Sequence, residues 1–201
     1  MTVLGLNTMP LRTVYQDRPR MIGVRLTSAG AMRLLGPAVA QFVNGAGDGV
    51  EILGTLARRL TDAVEQLAES GNPDSLHREL TTALRNPAGL DLRVEQAASL
   101  LHARHLGTRS ISTVAREIGI STRQLDRHFD RWFGISPKLL YRLARFRTAF
   151  AAGVMGPRGG WAGLAARCGY ADQSHLCREF VEFGGGSPEQ LRLSMAPAAD
   201  D

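Results

Sequence analysis

A pattern that occurs twice in the C-terminal half restricts the fold of this chain more than any other feature. Leu125, Arg127, Phe129, Gly134 and Pro137 reappear as Leu176, Arg178, Phe180, Gly185 and Pro188, each 51 residues later. Ala115 and Gly119 reappear 50 residues later as Ala165 and Gly169. In the first copy Leu125, Phe129 and Phe133 recur every fourth residue, the spacing of one helix face. Ser121 stands where an N-cap belongs, and Gly134 followed by Pro137 ends the helix. Thr122, Arg123, Asp126, Arg127 and Asp130 then point away from the core. Just upstream, Ile111 to Gly119 is a short amphipathic segment with Val114, Ala115 and Ile118 inward. Gly119 breaks it from the capped helix, and two short helices at a glycine turn make a helix-turn-helix. The second copy runs from Leu164 to Pro188 with one extra residue in its turn, so Asp172 takes the capping role of Ser121.

Between the copies, Leu139, Leu143, Phe146 and Phe150 predict one helix from Pro137 to about Ala152. At ~1.5 Å per residue it spans roughly 24 Å. A turn of DNA is about 34 Å, so two such units can enter successive major grooves of a bent or obliquely crossed duplex.

From Leu92 to Leu193 the sequence resembles the two-unit DNA-binding domain of AraC/XylS-type transcription regulators. The motifs are A-R-E-I-G-I-S-T-R-Q-L-D-R-H-F, F-G-I-S-P-K, R-F-R and A-A-R-C-G-Y-A-D-Q-S-H-L-C-R-E-F. The resemblance implies that the helix after each turn enters the major groove. The matching positions are Arg123, Asp126 and Arg127 in the first unit, with Thr122 beginning the same face, and Gln173, Ser174 and Arg178 in the second. An arginine fork suits guanine, glutamine suits adenine, and serine suits a base or a phosphate. Asp126 repels phosphate unless it accepts from cytosine or orients Arg123 or Arg127. For each of these residues the plainer alternative is a solvated helix face. Arg142, Arg145 and Arg147 divide between phosphate contacts and an ordinary charged helix surface. One position departs from the family: Gly186 stands where Ile135 supplies an apolar side chain, which should loosen the end of the second recognition helix.

Charge supports a polyanion partner. Residues 1–91 hold nine basic and nine acidic side chains, whereas residues 92–201 hold fifteen and ten. The whole surplus of +5 therefore lies in the repeat half. Lys138 is the single lysine, so arginine supplies nearly all of it. Cys168 and Cys177 offer no disulfide framework. Together with His175 they suggest zinc only weakly, because Cys168 takes the inward position of Ile118 and a fourth ligand is lacking. Trp132 and Trp161 read as packing residues. The sequence contains no recognisable nucleophile, base and orienting group, so neither enzymatic activity nor a cofactor is expected. With no membrane-spanning stretch and no signal core, the expected address is the cytoplasm.

The N-terminal half is less informative. Met1 to Arg20 reads as an arm and Met21 to Leu26 as a strand. Ser28 to Val43 reads as helical turns broken at Gly36 and Pro37, and the glycine-rich Asn44 to Gly49 as a flexible connector rather than a nucleotide loop. Leu53, Leu56, Leu60, Val64 and Leu67, then Leu76, Leu80 and Leu84, predict an antiparallel helix pair, with dimerisation as the alternative use of the stripe. G-V-R-L-T-S-A-G-A-M-R-L-L-G-P resembles the end of a sensory domain found ahead of this DNA-binding module in some AraC-like regulators. The expectation is thus a mainly α chain: a helical remnant region with at most one or two strands (1–91), a double helix-turn-helix (92–194) and a disordered tail (195–201). The expected function is sequence-specific, double-stranded DNA binding in transcription regulation, with RNA polymerase and a second copy of the chain as candidate partners. The competing reading is a truncated regulator acting mainly as an interaction or dimerisation partner.

Overall fold

Helix starts fall where capping chemistry puts them, which fixes the chain's punctuation before any packing is considered. Ser110 Oγ accepts from the Thr113 amide at 3.1 Å, Ser136 Oγ from Leu139 at 3.2 Å and Asp172 Oδ1 from His175 at 2.6 Å. Ser121 and Gln124 cap each other reciprocally, the Gln124 amide donating to Ser121 Oγ while the Ser121 amide donates to Gln124 Oε1. Ser187 and Gln190 do the same.

The computed structural model describes residues 1–11, 21–85, 91–102 and 110–195. Within them the order is β1 (Thr2–Leu4), α1 (Ser28–Leu35), a 3-10 turn (Gly36–Phe42), β2 (Ala46–Asp48), α2 (Gly49–Leu53), α3 (Thr55–Ser70) and α4 (Asp74–Leu84). The repeat half follows with α5 (Leu92–His102), α6 (Ile111–Glu117), α7 (Thr122–Phe133), α8 (Pro137–Val154), α9 (Gly160–Arg167), α10 (Gln173–Glu179), a π turn (Phe180–Gly184) and α11 (Pro188–Ser194). The chain is mainly α, as expected.

The strands are not where the sequence placed one. Met21 to Leu26 forms no strand, and the sheet is instead β1 against β2, antiparallel with Thr2 opposite Asp48 and Leu4 opposite Ala46. Alternation of apolar residues did not decide this, because a strand exists only where a partner supplies its ladder. Part of the presumed arm and of the presumed connector is therefore sheet. Gly47 eases it: a Cβ there would stand 2.7 Å from Ile52 Cδ1, so any larger residue would have to push that side chain aside as α2 folds back on β2. Asp48 closes the corner by accepting from the Val50 and Glu51 amides. The segment 12–20 of the expected arm, residues 103–109 and the tail from 196 lie outside the described residues.

Two compact units alternate along the sequence. The first comprises Met1–Leu6, Arg12–Gln96 and Arg127–Ile135. Its helix pair α3 and α4 buries Leu60, Ala63 and Leu76, with Leu53, Leu56, Val64, Leu67 and Leu80 packed around them, which is the predicted stripe used as internal core. Arg33 of α1 grips Glu95 of α5 with two hydrogen bonds of 2.6 and 3.0 Å. Asp91 caps α5 through Oδ1, which accepts from the Arg93 and Val94 amides. Its Oδ2 lies 2.9 Å from His128 Nδ1, tying the start of α5 to the later turns of α7.

The second unit comprises Asn7–Leu11, Ala97–Asp126 and Ser136–Asp201. Its axis is α8, which buries Leu140, Leu143, Ala144, Phe146 and Ala149. Phe146 and Phe180 meet edge to face at 5.1 Å, and Phe150, Trp161 and Phe183 complete an aromatic core. Gly153 on α8 makes room for the Trp161 indole, whose Cζ3 would lie 2.6 Å from an added Cβ.

Burial, and then the positive charge of Arg147, hold His102 below its ordinary value of 6.5. The folded state thus binds fewer protons than the unfolded one. Stability is full above pH 6.5 and declines as pH falls from there toward the depressed folded value. Unfolding titrations of the wild type against His102→Asn between pH 7.5 and 5.5 are expected to show a steeper decline in the wild type.

Candidate nucleic-acid interface

Both helix-turn-helix corners are built by the same two devices. Gly119 and Gly169 turn the chain at φ of 74° and 73°, a region that favours glycine. The next amide then reaches back five residues: Ile120 N–H donates to Ala115 at 3.0 Å, and Tyr170 N–H to Ala165 at 2.9 Å. Under each corner the same positions are buried. Val114, Ala115, Ile118, Leu125 and Phe129 correspond to Leu164, Ala165, Cys168, Leu176 and Phe180. Cys168 is therefore a small core residue, and burial raises its thiol pKa.

With that face inward, the other side of each capped helix is presented to solvent. Thr122, Arg123, Asp126 and Arg127 are all exposed on α7, and Gln173, Ser174 and Arg178 are exposed on α10. Among the described residues Arg123, Arg127 and Arg178 enter no ion pair, so their guanidinium groups are available to a partner.

The copies diverge at their helix ends. Phe133 lies 2% exposed and 5.1 Å from Phe129, whereas the position 51 residues later is Gly184. A Cβ on Gly184 would stand 2.5 Å from Leu191 Cδ1 and 3.2 Å from Phe146 Cζ, so those two side chains occupy the space of the missing ring. The backbone answers with the π turn, in which Phe183 is turned inward as Trp132 is in the first copy. The departure at Gly186 is thus one of two, and Leu191 borders both glycines.

Sequence reasoning missed the charged seam that fixes α10. Lys138, Tyr141, Arg142 and Arg145 form an i, i+3, i+4, i+7 stripe on α8, and His175, Arg178, Glu179 and Glu182 form the facing stripe. Glu179 is only 1% exposed. Its Oε1 accepts from Arg145 Nη2 at 2.5 Å and from Arg142 Nε at 2.9 Å. Arg142 reaches on to Glu182, and Arg145 also donates to the Gly169 carbonyl at 3.1 Å, in the second corner itself. Arg145 lies over the Tyr170 ring at 4.2 Å. Burial, then the Glu179 charge, push the Tyr170 hydroxyl far above its ordinary range. Of the arginines considered for phosphate, Arg142 and Arg145 are therefore engaged internally. The paired i, i+3, i+4, i+7 spacings of opposite charge were the available signal.

Residues 114–194, about two-fifths of the chain, match the family model described as "Helix-turn-helix domain". No curated protein matches. A solved structure, a transcriptional regulator from Chromobacterium violaceum described as an AraC-type DNA-binding domain-containing protein, is 22% identical with a TM-score of 0.49. The match covers 54% of this chain and 96% of that one.

Proposed function

From the premise that residues 114–194 are the AraC-type helix-turn-helix domain of a DNA-binding transcription regulator, we propose that the chain reads two nearby major-groove segments with two recognition helices. The supporting observation is the repeated corner: the same glycine turn and the same amide-to-carbonyl bond precede α7 and α10, and each helix carries an unengaged polar face. Arg123 and Arg127 take guanine edges or phosphates, Gln173 takes adenine, and Ser174 and Thr122 contact base or backbone. Asp126 accepts from cytosine or orients the arginine on either side. The reader occupies residues 92–194, residues 1–91 form a sensory or interaction region, and the tail begins at 195. The setting is the cytoplasm, with RNA polymerase and a second copy of the chain as further partners. Among the described residues no helix is long and apolar enough to cross a membrane.

Binding to a duplex pool across a salt series tests this reading. The wild type is expected to bind with a steep salt dependence. Arg123→Ala and Arg127→Ala should each lose about 1–3 kcal/mol of base discrimination, roughly 5- to 150-fold, where they touch a base. Concentration-dependent size in solution without salt-sensitive binding to any duplex would favour the interaction-partner reading instead.

A further inference from the structure

The cleft between α8 and α10 holds about 630 Å³. Lys138, Arg142, Arg145 and Arg178 line it against only Glu179 and Glu182, which leaves two positive charges uncompensated when His175 is neutral. The carboxylates are both engaged by Arg142 and Arg145. Lys138 and Arg178 are exposed and enter no ion pair among the described residues. Two cations without a partner lining one cleft are satisfied by an acceptor that carries negative charge.

We propose that this cleft is a phosphate site, filled by one backbone phosphodiester of the bound duplex and held by Lys138 and Arg178. The proposal rests on the DNA-reading function above and sharpens it, because it assigns Arg178 to the backbone rather than to a base edge. Glu179 does not oppose it. Its charge is shared between two arginines. A phosphodiester, with one negative charge, leaves the cleft still slightly positive, whereas a base edge brings no compensating charge.

The test uses the full chain on a duplex selected for binding, with affinity measured against salt for the wild type, Lys138→Ala, Arg178→Ala and the double variant. The double substitution is expected to lower the magnitude of the log–log salt slope by about 0.9, the contribution of one phosphate, and each single substitution by part of that. At 0.1 M salt the full change corresponds to roughly eightfold weaker binding. The selected sequence should be unchanged, and so should the melting temperature, since both side chains are exposed. A scan of neutral methylphosphonates along the duplex should find a phosphate whose neutralisation weakens the wild type but not the double variant. An unchanged slope, or a change of sequence preference in Arg178→Ala, would overturn the assignment. Inorganic phosphate is titrated separately against the His175 ring signals. Saturable shifts there combined with a flat methylphosphonate scan would mean that free phosphate, not DNA, is the occupant, and would equally overturn it. Absence of any salt-sensitive duplex binding by the wild type would strike the DNA-reading function itself, which is a distinguishable failure.

Discussion

Glu179→Ala is expected to lower folding stability by about 3–5 kcal/mol, measured by denaturant titration of the full chain. The carboxylate is 1% exposed and Arg145 is 6% exposed, so removing the anion leaves a buried guanidinium without its counter-charge. That deletion is far costlier than loss of an exposed pair, because water cannot reach in to replace the lost partner. At ~2–4 °C per kcal/mol for a chain of this size, the melting temperature should fall by roughly 6–20 °C. Glu179→Gln keeps the volume and one acceptor and should fall between the alanine variant and the wild type. Exposed Glu189, which pairs with Arg192 three residues along α11 and accepts from Trp161 Nε1 at 3.3 Å, is the control, and its alanine variant should lose no more than about 1 kcal/mol. Equal losses from Glu179→Ala and Glu189→Ala would show that the seam does not hold α10.

Phe180→Ala should cost a similar amount, about 3–5 kcal/mol, by a different mechanism. Phe180 is 1% exposed and its ring lies 5.1 Å from Phe146, 5.9 Å from Trp161 and 6.3 Å from Phe150, centroid to centroid. Rigid rings on three sides close poorly over a void, so the cavity penalty adds to the lost burial. Phe180→Leu retains most of the apolar volume and should lose less than half as much. Because Glu179 and Phe180 are neighbours at the end of α10, one side chain anchors the helix electrostatically and the other by packing. Both variants are expected to impair the contribution of Gln173 and Ser174 to DNA choice before that of Arg123 and Arg127, whose helix is tied instead through His128 and Asp91. A loss of stability below 1 kcal/mol for Phe180→Ala would contradict the packing account.

The parts of this fold written in local chemistry were readable from the sequence. Ser121 and Asp172 mark helix starts because a cap needs only its own next three residues. The duplicated corners were readable because Gly119 and Gly169 supply a backbone conformation that other residues resist. The exposure of the seven candidate DNA contacts followed from the inward face opposite them. Pairings between distant segments were not readable. Thr2–Leu4 finds Ala46–Asp48, and Met21–Leu26 finds no ladder, although the latter alternates better. Arg145 reads locally as one more charge on a basic helix, and only the facing stripe turns it into a buried anchor. Gly184 carried a signal of its own, since the repeat requires an aromatic residue there, but its replacement by Leu191 and Phe146 depends on tertiary packing.

Two-segment reading by α7 and α10 is tested most directly by selecting bound duplexes from a random library with the wild type, Arg123→Ala and Gln173→Ala. The wild type is predicted to enrich two short conserved blocks spaced by about one helical turn. Arg123→Ala should blur one block and Gln173→Ala the other, each leaving its neighbour intact. Enrichment of a single block, or retention of the full wild-type motif by both variants, would contradict the account.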